Sequence, residues 1–459
     1  MKADKQEKNT PTYDELKLPN YQNSRVVAKV GDIELNVSDA VIAAVLSGLN
    51  VMLVGDTGTG KTQLVSDIYN NYFGGNANGI WFKARPDTEI ADVFSRLNRE
   101  AASKELNKAA VEKLIFCVDE VNRGPGPTQD QFMGLGDGTI ESPDGLQYTL
   151  GRDGYSILIA TANIGNGDFT GTWDLDRALL NRLHVTIDVD FFDKTFDDEI
   201  SVNKEGGADP KVRIAEHRNL TEKVIAAFKE IDRLVEEPGL ESEIVLMYLG
   251  VGLKHCAQQG QKTRVWPYHC QECSHTGGLC EKIKAATPRT RRAVLKYAAG
   301  LQYLAQLKAK SEKKDIGKVD AFDLVFTAFE LSAAYHGNLN PHILQGDYGE
   351  ENARMMEDVV KDMRKEFEEM KFYISTSLEY LKENNEIVTQ FVHTGEGCYP
   401  AVESFFDTLA AQKKYEGGGK KLMEEITGKS EIQKPYEDSG FSWFPQLLER
   451  YLKPEAPKK

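Results

Sequence analysis

Gly55-Asp56-Thr57-Gly58-Thr59-Gly60-Lys61-Thr62 constrains this chain more than any other stretch of it. The spacing is G-x-x-x-x-G-K-[ST], and each position has a physical reason. The glycines let backbone N–H groups turn inward around a triphosphate, Lys61 can reach the outer phosphates, and the Thr62 hydroxyl can ligate Mg²⁺. An apolar run, Val51–Val54, precedes the loop, and an amphipathic stretch beginning at Thr62 follows it. Strand, glycine loop and helix in that order aim the positive end of a helix at the bound anion. A Gly-rich turn with no ligand would not need this flanking pattern.

The text around the loop predicts an α/β fold. Apolar runs at Ile80–Lys83, Leu114–Val118, Ile157–Ala160 and Val185–Val189 alternate with helix-length segments such as Thr62–Tyr72 and Thr128–Leu135. Buried strands separated by crossovers make a parallel central sheet covered on both faces, an αβα sandwich. Asp137 to Asp153, rich in Gly, Asp and Pro, breaks the rhythm and reads as a hairpin inserted before the next strand. At 459 residues the chain is long enough for roughly two to four domains. The division expected is a flexible charged segment at 1–24, the sandwich at 25–200, a helical lid at 211–340 and a helical region at 345–459. In the last of these, Met356, Val360, Met363, Phe367, Met370, Ile374, Leu378 and Leu381 recur three and four apart, the core-facing seam of a long helix.

Leu114-Ile115-Phe116-Cys117-Val118 ends in Asp119-Glu120, so a central strand delivers two acids to the crevice where ligands bind in such sheets. Asp119 is the expected Mg²⁺-shell ligand. Glu120 is placed to orient and deprotonate an attacking water. A strand ending in two acids says little alone; beside a phosphate loop it favours hydrolysis.

These residues resemble an AAA+ ATPase of the MoxR group, including its CbbQ/NorQ-like branch. Asp119-Glu120-Val121-Asn122-Arg123 and the stretch after it resemble that group's Walker B segment, helix and hairpin. Ile159-Ala160-Thr161-Ala162-Asn163 resembles a sensor 1 strand, with Asn163 watching the γ-phosphate. Leu175 to Leu183 resembles the arginine-finger segment, with Arg182 the better match by position and Arg177 the spare. Ala286-Thr287-Pro288-Arg289 resembles the start of a sensor 2 helix, making Arg289 the lid arginine. The likeness covers about residues 25 to 340. It implies a P-loop NTPase that hydrolyses ATP with Mg²⁺ as a homo-oligomer, a ring of six, since an arginine supplied by a neighbour completes the site. It further implies assembly or activation of a client protein, often beside a von Willebrand A-domain partner. Asp56-Thr57 and Thr59 depart from the Glu-Pro and Val of many MoxR loops, which leaves the branch open.

Cys256, Cys270, Cys273 and Cys280 lie within a short segment, 255–280, that interrupts the lid. The C-x2-C knuckle is a way of wrapping tetrahedral Zn²⁺, and four ligands would leave no open position, so a structural zinc is expected. His255, His269 and His275 are alternative ligands, while reduced thiols or a redox role are the other readings. A net charge of −15 disfavours nucleic acid or an anionic membrane as partner. The polar start and the lack of a long apolar run predict a cytoplasmic chain with no secretory signal. Two rivals stand: a nucleic-acid-dependent NTPase of restriction or motor type, suggested by the basic run Pro288 to Arg292, and a nucleotide-bound scaffold that does not hydrolyse.

Overall fold

A computed structural model of the chain describes residues 10–87, 111–141, 145–163, 172–205, 211–214, 218–236, 238–256, 260–261 and 278–383, with isolated positions further on. The segment expected to stay flexible up to residue 24 is packed from Thr12 onward. Thr12 and Glu15 form a capping box that starts a short helix, α1 (Tyr13–Leu16). Tyr13, Leu16 and Tyr21 are buried. Asp67 then accepts the backbone N–H groups of both Asn20 and Tyr21, at 2.9 and 2.8 Å. Apolar side chains at the first and last residues of α1 and a buried carboxylate to receive the following amides outweigh the local charge.

An antiparallel pair, β1 (Val26–Val30) and β2 (Ile33–Asn36), leads into helix α2 (Val37–Leu46), which Asn36 and Asp39 cap reciprocally. The sandwich follows: β3 (Val51–Val54), α3 (Lys61–Phe73), β4 (Gly79–Lys83), β5 (Ile115–Asp119), α4 (Gly126–Gly136), the hairpin β6 (Thr139–Glu141) and β7 (Gln147–Thr149), β8 (Ile157–Ala162), α5 (Arg177–Leu180) and β9 (Val185–Asp188). Five strands pair in the order β4-β5-β8-β3-β9, all parallel. Every residue of β3, β5 and β8 is buried, which is why these stretches read as unbroken apolar runs and not as an alternation. All five carboxyl ends lie on one edge of the sheet. This edge carries the site.

Helices α6 (Phe196–Glu205) and α7 (Thr221–Glu236) come next, then α8 (Leu240–Gly250), a two-residue ladder of β10 (His255–Cys256) with β11 (Gly260–Gln261), and α9 (Leu279–Lys282). Last come α10 (Pro288–Glu312), α11 (Ala321–Ala333), α12 (Pro341–Asp347) and α13 (Asn352–Glu383). The chain forms two compact units, one of Met1–Ser242 with Pro288–Glu357, the other of Glu243–Thr287 with Asp358–Lys459. The helices expected as one lid are therefore shared between the units. In the first, α10 packs against α2 and α11, and α11 runs along β9. Within the second, Tyr248 donates to Glu366 at 2.6 Å and Lys282 pairs with Asp362 at 2.7 Å. Val360, Met363 and Phe367 of the expected seam are buried in this unit and Met356 in the first. The side chains of Met370, Ile374, Leu378 and Leu381 lie outside the described residues.

Candidate nucleotide site

The phosphate loop joins β3 to α3 at the carboxyl edge. Gly60 closes it in the left-handed conformation (φ 95°), and a Cβ there would stand 3.1 Å from the Tyr21 ring, so glycine serves both the turn and the close approach of the N-terminal segment. Lys61 is 6% exposed, with its ammonium on the carbonyls of Gly55 (2.9 Å) and Asp56 (2.6 Å). Burial draws its pKa down, and the carboxylates of Asp190, Asp56, Asp119 and Glu120 oppose that shift. The Asp56 carboxylate accepts from the amide (2.6 Å) and hydroxyl (3.0 Å) of Thr57, and Thr59 donates to the Asp56 carbonyl at 2.9 Å. Side chains at the variable positions thus knit the loop; Gly58 stands open, with nothing within 4 Å of a Cβ.

Asp119 arrives from the end of β5, two strands away in the sheet, and its Oδ1 accepts from Thr62 Oγ1 at 3.4 Å. These two oxygen donors, hard ligands beside a phosphate loop, suit Mg²⁺. The same Oδ1 accepts a shorter bond, 2.7 Å, from the Thr161 hydroxyl of β8, and that hydroxyl accepts the Glu120 N–H at 2.9 Å. Glu120 itself has φ 54° and ψ 50°, a left-handed backbone unusual for a side chain with a Cβ. Strain of this kind persists only where surrounding contacts enforce it. Here Thr161 fixes its amide and Arg123 lies 3.3 Å from its carboxylate. Asn163 follows β8 and is buried; Asn122 ties to it through the Asn163 carbonyl at 2.9 Å. Lys61, Thr62, Asp119, Glu120 and Asn163 are thus brought to one edge of one sheet. Thr161, Asn122, Arg123 and Asp190 join them, and sequence reasoning had assigned these four no role.

The arginines lie elsewhere. Asn50, the residue before β3, donates its amide to the carbonyls of Gly136 (2.7 Å) and Arg182 (2.8 Å), and its backbone N–H to His184 Nδ1 at 3.2 Å. Those contacts fix Arg182 at the amino edge of the sheet, the length of a four-residue strand, about 13 Å, from the edge that carries its own phosphate loop. There Arg182 Nε pairs with Asp137 at 2.7 Å, and Arg289 reaches the other oxygen of Asp137 at 3.4 Å. Arg289 was expected beside its own chain's phosphates. The structure sets it with Arg182 instead, because α10 packs on α2 and starts near the amino ends of the strands. Arg177 is exposed and donates to the Gly337 carbonyl at 3.1 Å.

Of the four expected zinc ligands, Cys256 is buried in β10 and Cys280 half-buried in α9, while Cys270 and Cys273, with His269 and His275, lie outside the described residues. Among the described residues no group of three or more His, Cys, Asp or Glu could hold a metal ion.

Residues 50–183 match the AAA domain (dynein-related subfamily), a span that runs from the residue before β3 to the residue before His184. The crystal structure of a candidate ATPase from Cytophaga hutchinsonii superposes with a TM-score of 0.51, covering 79% of this chain and 98% of that one at 16% identity, a likeness of fold. An uncharacterized protein of Bacillus subtilis, YojN, is 28% identical over 162 residues, 33% of this chain, and the chain spans about half (51%) of that relative's length. The fold is that of an AAA+ P-loop NTPase.

Proposed function

We propose that this chain is an ATP-hydrolysing AAA+ machine of the MoxR type, working as a homo-oligomeric ring of six in the cytoplasm to remodel, assemble or activate a client protein. The observation that carries it is the separation of Arg182 from the acids: one edge of the sheet holds Lys61, Thr62, Asp119 and Glu120, and the opposite edge holds Arg182. A finger arginine that cannot serve its own loop can serve the loop of a neighbour stacked edge to edge.

In this reading the loop amides, Lys61 and the start of α3 receive the triphosphate. Thr62 and Asp119 would hold Mg²⁺, which when bound neutralises charge on the phosphate oxygens. Glu120 accepts a proton from water as its oxygen attacks the γ-phosphorus; the bond to the bridging oxygen breaks, and ADP leaves with its electron pair. Asn163 orients that water or the γ-phosphate. Arg182 of the neighbouring copy stabilises the charge developing in flight, with Arg289 beside it and Arg177 held in reserve. A client and a von Willebrand A-domain partner enter by resemblance alone. The C-x2-C knuckle, with Cys256 and Cys280, supports a structural zinc, which metal analysis of the purified chain tests.

The nucleic-acid reading draws on the run Pro288 to Arg292. Within that run Thr290 is buried and Arg289 pairs with Asp137 at 3.4 Å, while Arg292 is exposed, so salt-dependent stimulation of turnover by DNA or RNA is the result that would favour this reading. No helix among the described residues is long and apolar enough to cross a membrane.

The test is steady-state ATP hydrolysis by the wild type and by Glu120→Gln, with assembly size followed in parallel. Turnover that falls about 100-fold or more in the variant, with ATP binding and assembly kept, supports the hydrolytic machine. An assembled, ATP-bound wild type without turnover would favour a scaffold.

A further inference from the structure

A carboxylate grips the phosphate loop at a point the hydrolytic chemistry does not use. Asp190 Oδ2 accepts the Asp56 N–H at 2.6 Å, and a Cβ on Gly55 (φ 148°) would stand 2.7 Å from Asp190 Oδ1. The loop therefore rests against this side chain at its first two positions. Asp190 sits just past β9, whose ladder with β3 continues through the Val189 N–H to the Val54 carbonyl at 2.9 Å. Asp188 shapes the turn: its Oδ1 accepts the N–H groups of Asp190 and Phe191, both at 3.1 Å. The other oxygen of Asp188 accepts the Tyr335 hydroxyl at 2.6 Å, and Tyr335 lies two residues past the end of α11. One unbroken path of hydrogen bonds thus runs from the end of a helix, through a strand end, to the loop that receives phosphate. Burial raises the Asp190 carboxyl above the usual carboxylate range, with Asp188 and Asp56 adding to it and the amide of Asp56 and Lys61 opposing.

We propose that Asp190 is a positioning residue for the phosphate loop, and that Asp188 and Tyr335 link it to the end of α11, so that nucleotide binding and the placing of that helix are coupled. The inference rests on the ATP-binding reading and deepens it. Neither Asp190 nor Tyr335 need touch the nucleotide; both act by fixing the loop's backbone.

The experiment measures binding of a fluorescent ATP analogue, with Mg²⁺, to the full chain and to Asp190→Ala, Asp190→Asn, Tyr335→Phe and the double variant Tyr335→Phe/Asp190→Ala. Asp190→Ala is expected to weaken binding about tenfold, a size ordinary for losing a hydrogen bond to a charged group. Asp190→Asn keeps an acceptor for the Asp56 amide and should return affinity to within about threefold of wild type. Tyr335→Phe should weaken binding about threefold. The double variant should be no weaker than Asp190→Ala, because both changes cut one link. Singles that bind as wild type, whatever happens to their melting temperatures, overturn the proposal, as does a double variant whose loss is the product of the two single losses. Asp190→Ser, too short to reach the loop, replaces Asp190→Ala if the latter does not fold. A wild type that binds no ATP overturns the nucleotide reading itself, an outcome distinct from silent variants.

Discussion

Thr161 connects the two acids of the site, and nothing else described does both of its jobs. Its hydroxyl donates a hydrogen bond to Asp119 and accepts one from the N–H of Glu120, which stands in a left-handed backbone. Thr161→Val keeps the branched shape and removes the hydroxyl, leaving the half-buried Glu120 amide without its acceptor. The expected outcome is a kcat lowered by about 10- to 100-fold with ATP affinity within a few-fold of wild type, measured by steady-state kinetics beside equilibrium binding. An unchanged kcat would free Glu120 from this support. The loop and both acids were legible in the chain because phosphate chemistry fixes their types and spacing. Thr161 was not: it reads as one more residue in the run that ends at Asn163, and only the β5–β8 register makes it a neighbour of Asp119. Asp190 was hidden for the same reason, since its partner Asp56 lies on another strand's loop. Arg289 was read by resemblance and sits elsewhere, beside Arg182, because its position depends on how a helix packs.

Helix α10 meets α2 at Gly300, where a Cβ would stand 2.0 Å from Ser47 Oγ and 2.7 Å from the Ala43 carbonyl. Ser47 is held there by its own bond to that carbonyl at 2.7 Å. Alanine in place of glycine in a helix interior ordinarily stabilises by about 1 kcal/mol. Here overpacking against backbone wins, and Gly300→Ala is expected to destabilise the first unit by about 1–3 kcal/mol, read as a lowered urea midpoint. A raised midpoint would mean the two helices are free to part. The same contact shows what periodicity can and cannot supply. The sheet strands were legible to within two residues at either end, because a strand buried on both faces is an apolar run bounded by turns. The helices described between Thr221 and Ala333 were legible as such, apart from the Cys/His segment that interrupts them. That α10 would lie on α2 was not, since a glycine in a helical pattern reads as a weakness until its neighbour is known. The packing of Tyr13, Leu16 and Tyr21 was hidden likewise by the charge around them.

Two predictions belong to the molecule as a whole. His184 accepts the Asn50 backbone N–H on Nδ1 and is largely enclosed, and His336 is buried, 3.0 Å from the Leu183 carbonyl; loss of solvent holds them neutral, with pKa values lowered to about 3 and about 4. Unfolded, each would titrate near 6.5, so below that pH the unfolded chain binds protons the folded one refuses. The stability these histidines contribute is therefore complete above about pH 6.5 and falls with pH towards 4, by about 2 kcal/mol for each histidine at pH 5. Urea unfolding at pH 7 and pH 5 checks this, and His336→Gln should flatten the slope. The second prediction concerns assembly. Lys61→Ala removes the phosphate grip, Arg182→Ala removes the finger, and each alone should be dead if both act in hydrolysis. Mixed in equal amounts in a closed ring, about a quarter of interfaces would join an intact loop to a neighbour's intact Arg182. The mixture should then recover about a quarter of wild-type turnover from two inactive preparations. If Arg182 served its own subunit, every subunit in the mixture would carry one defect and no turnover would return. Turnover in the mixture therefore requires that the two edges of the sheet belong to one site only when two copies meet.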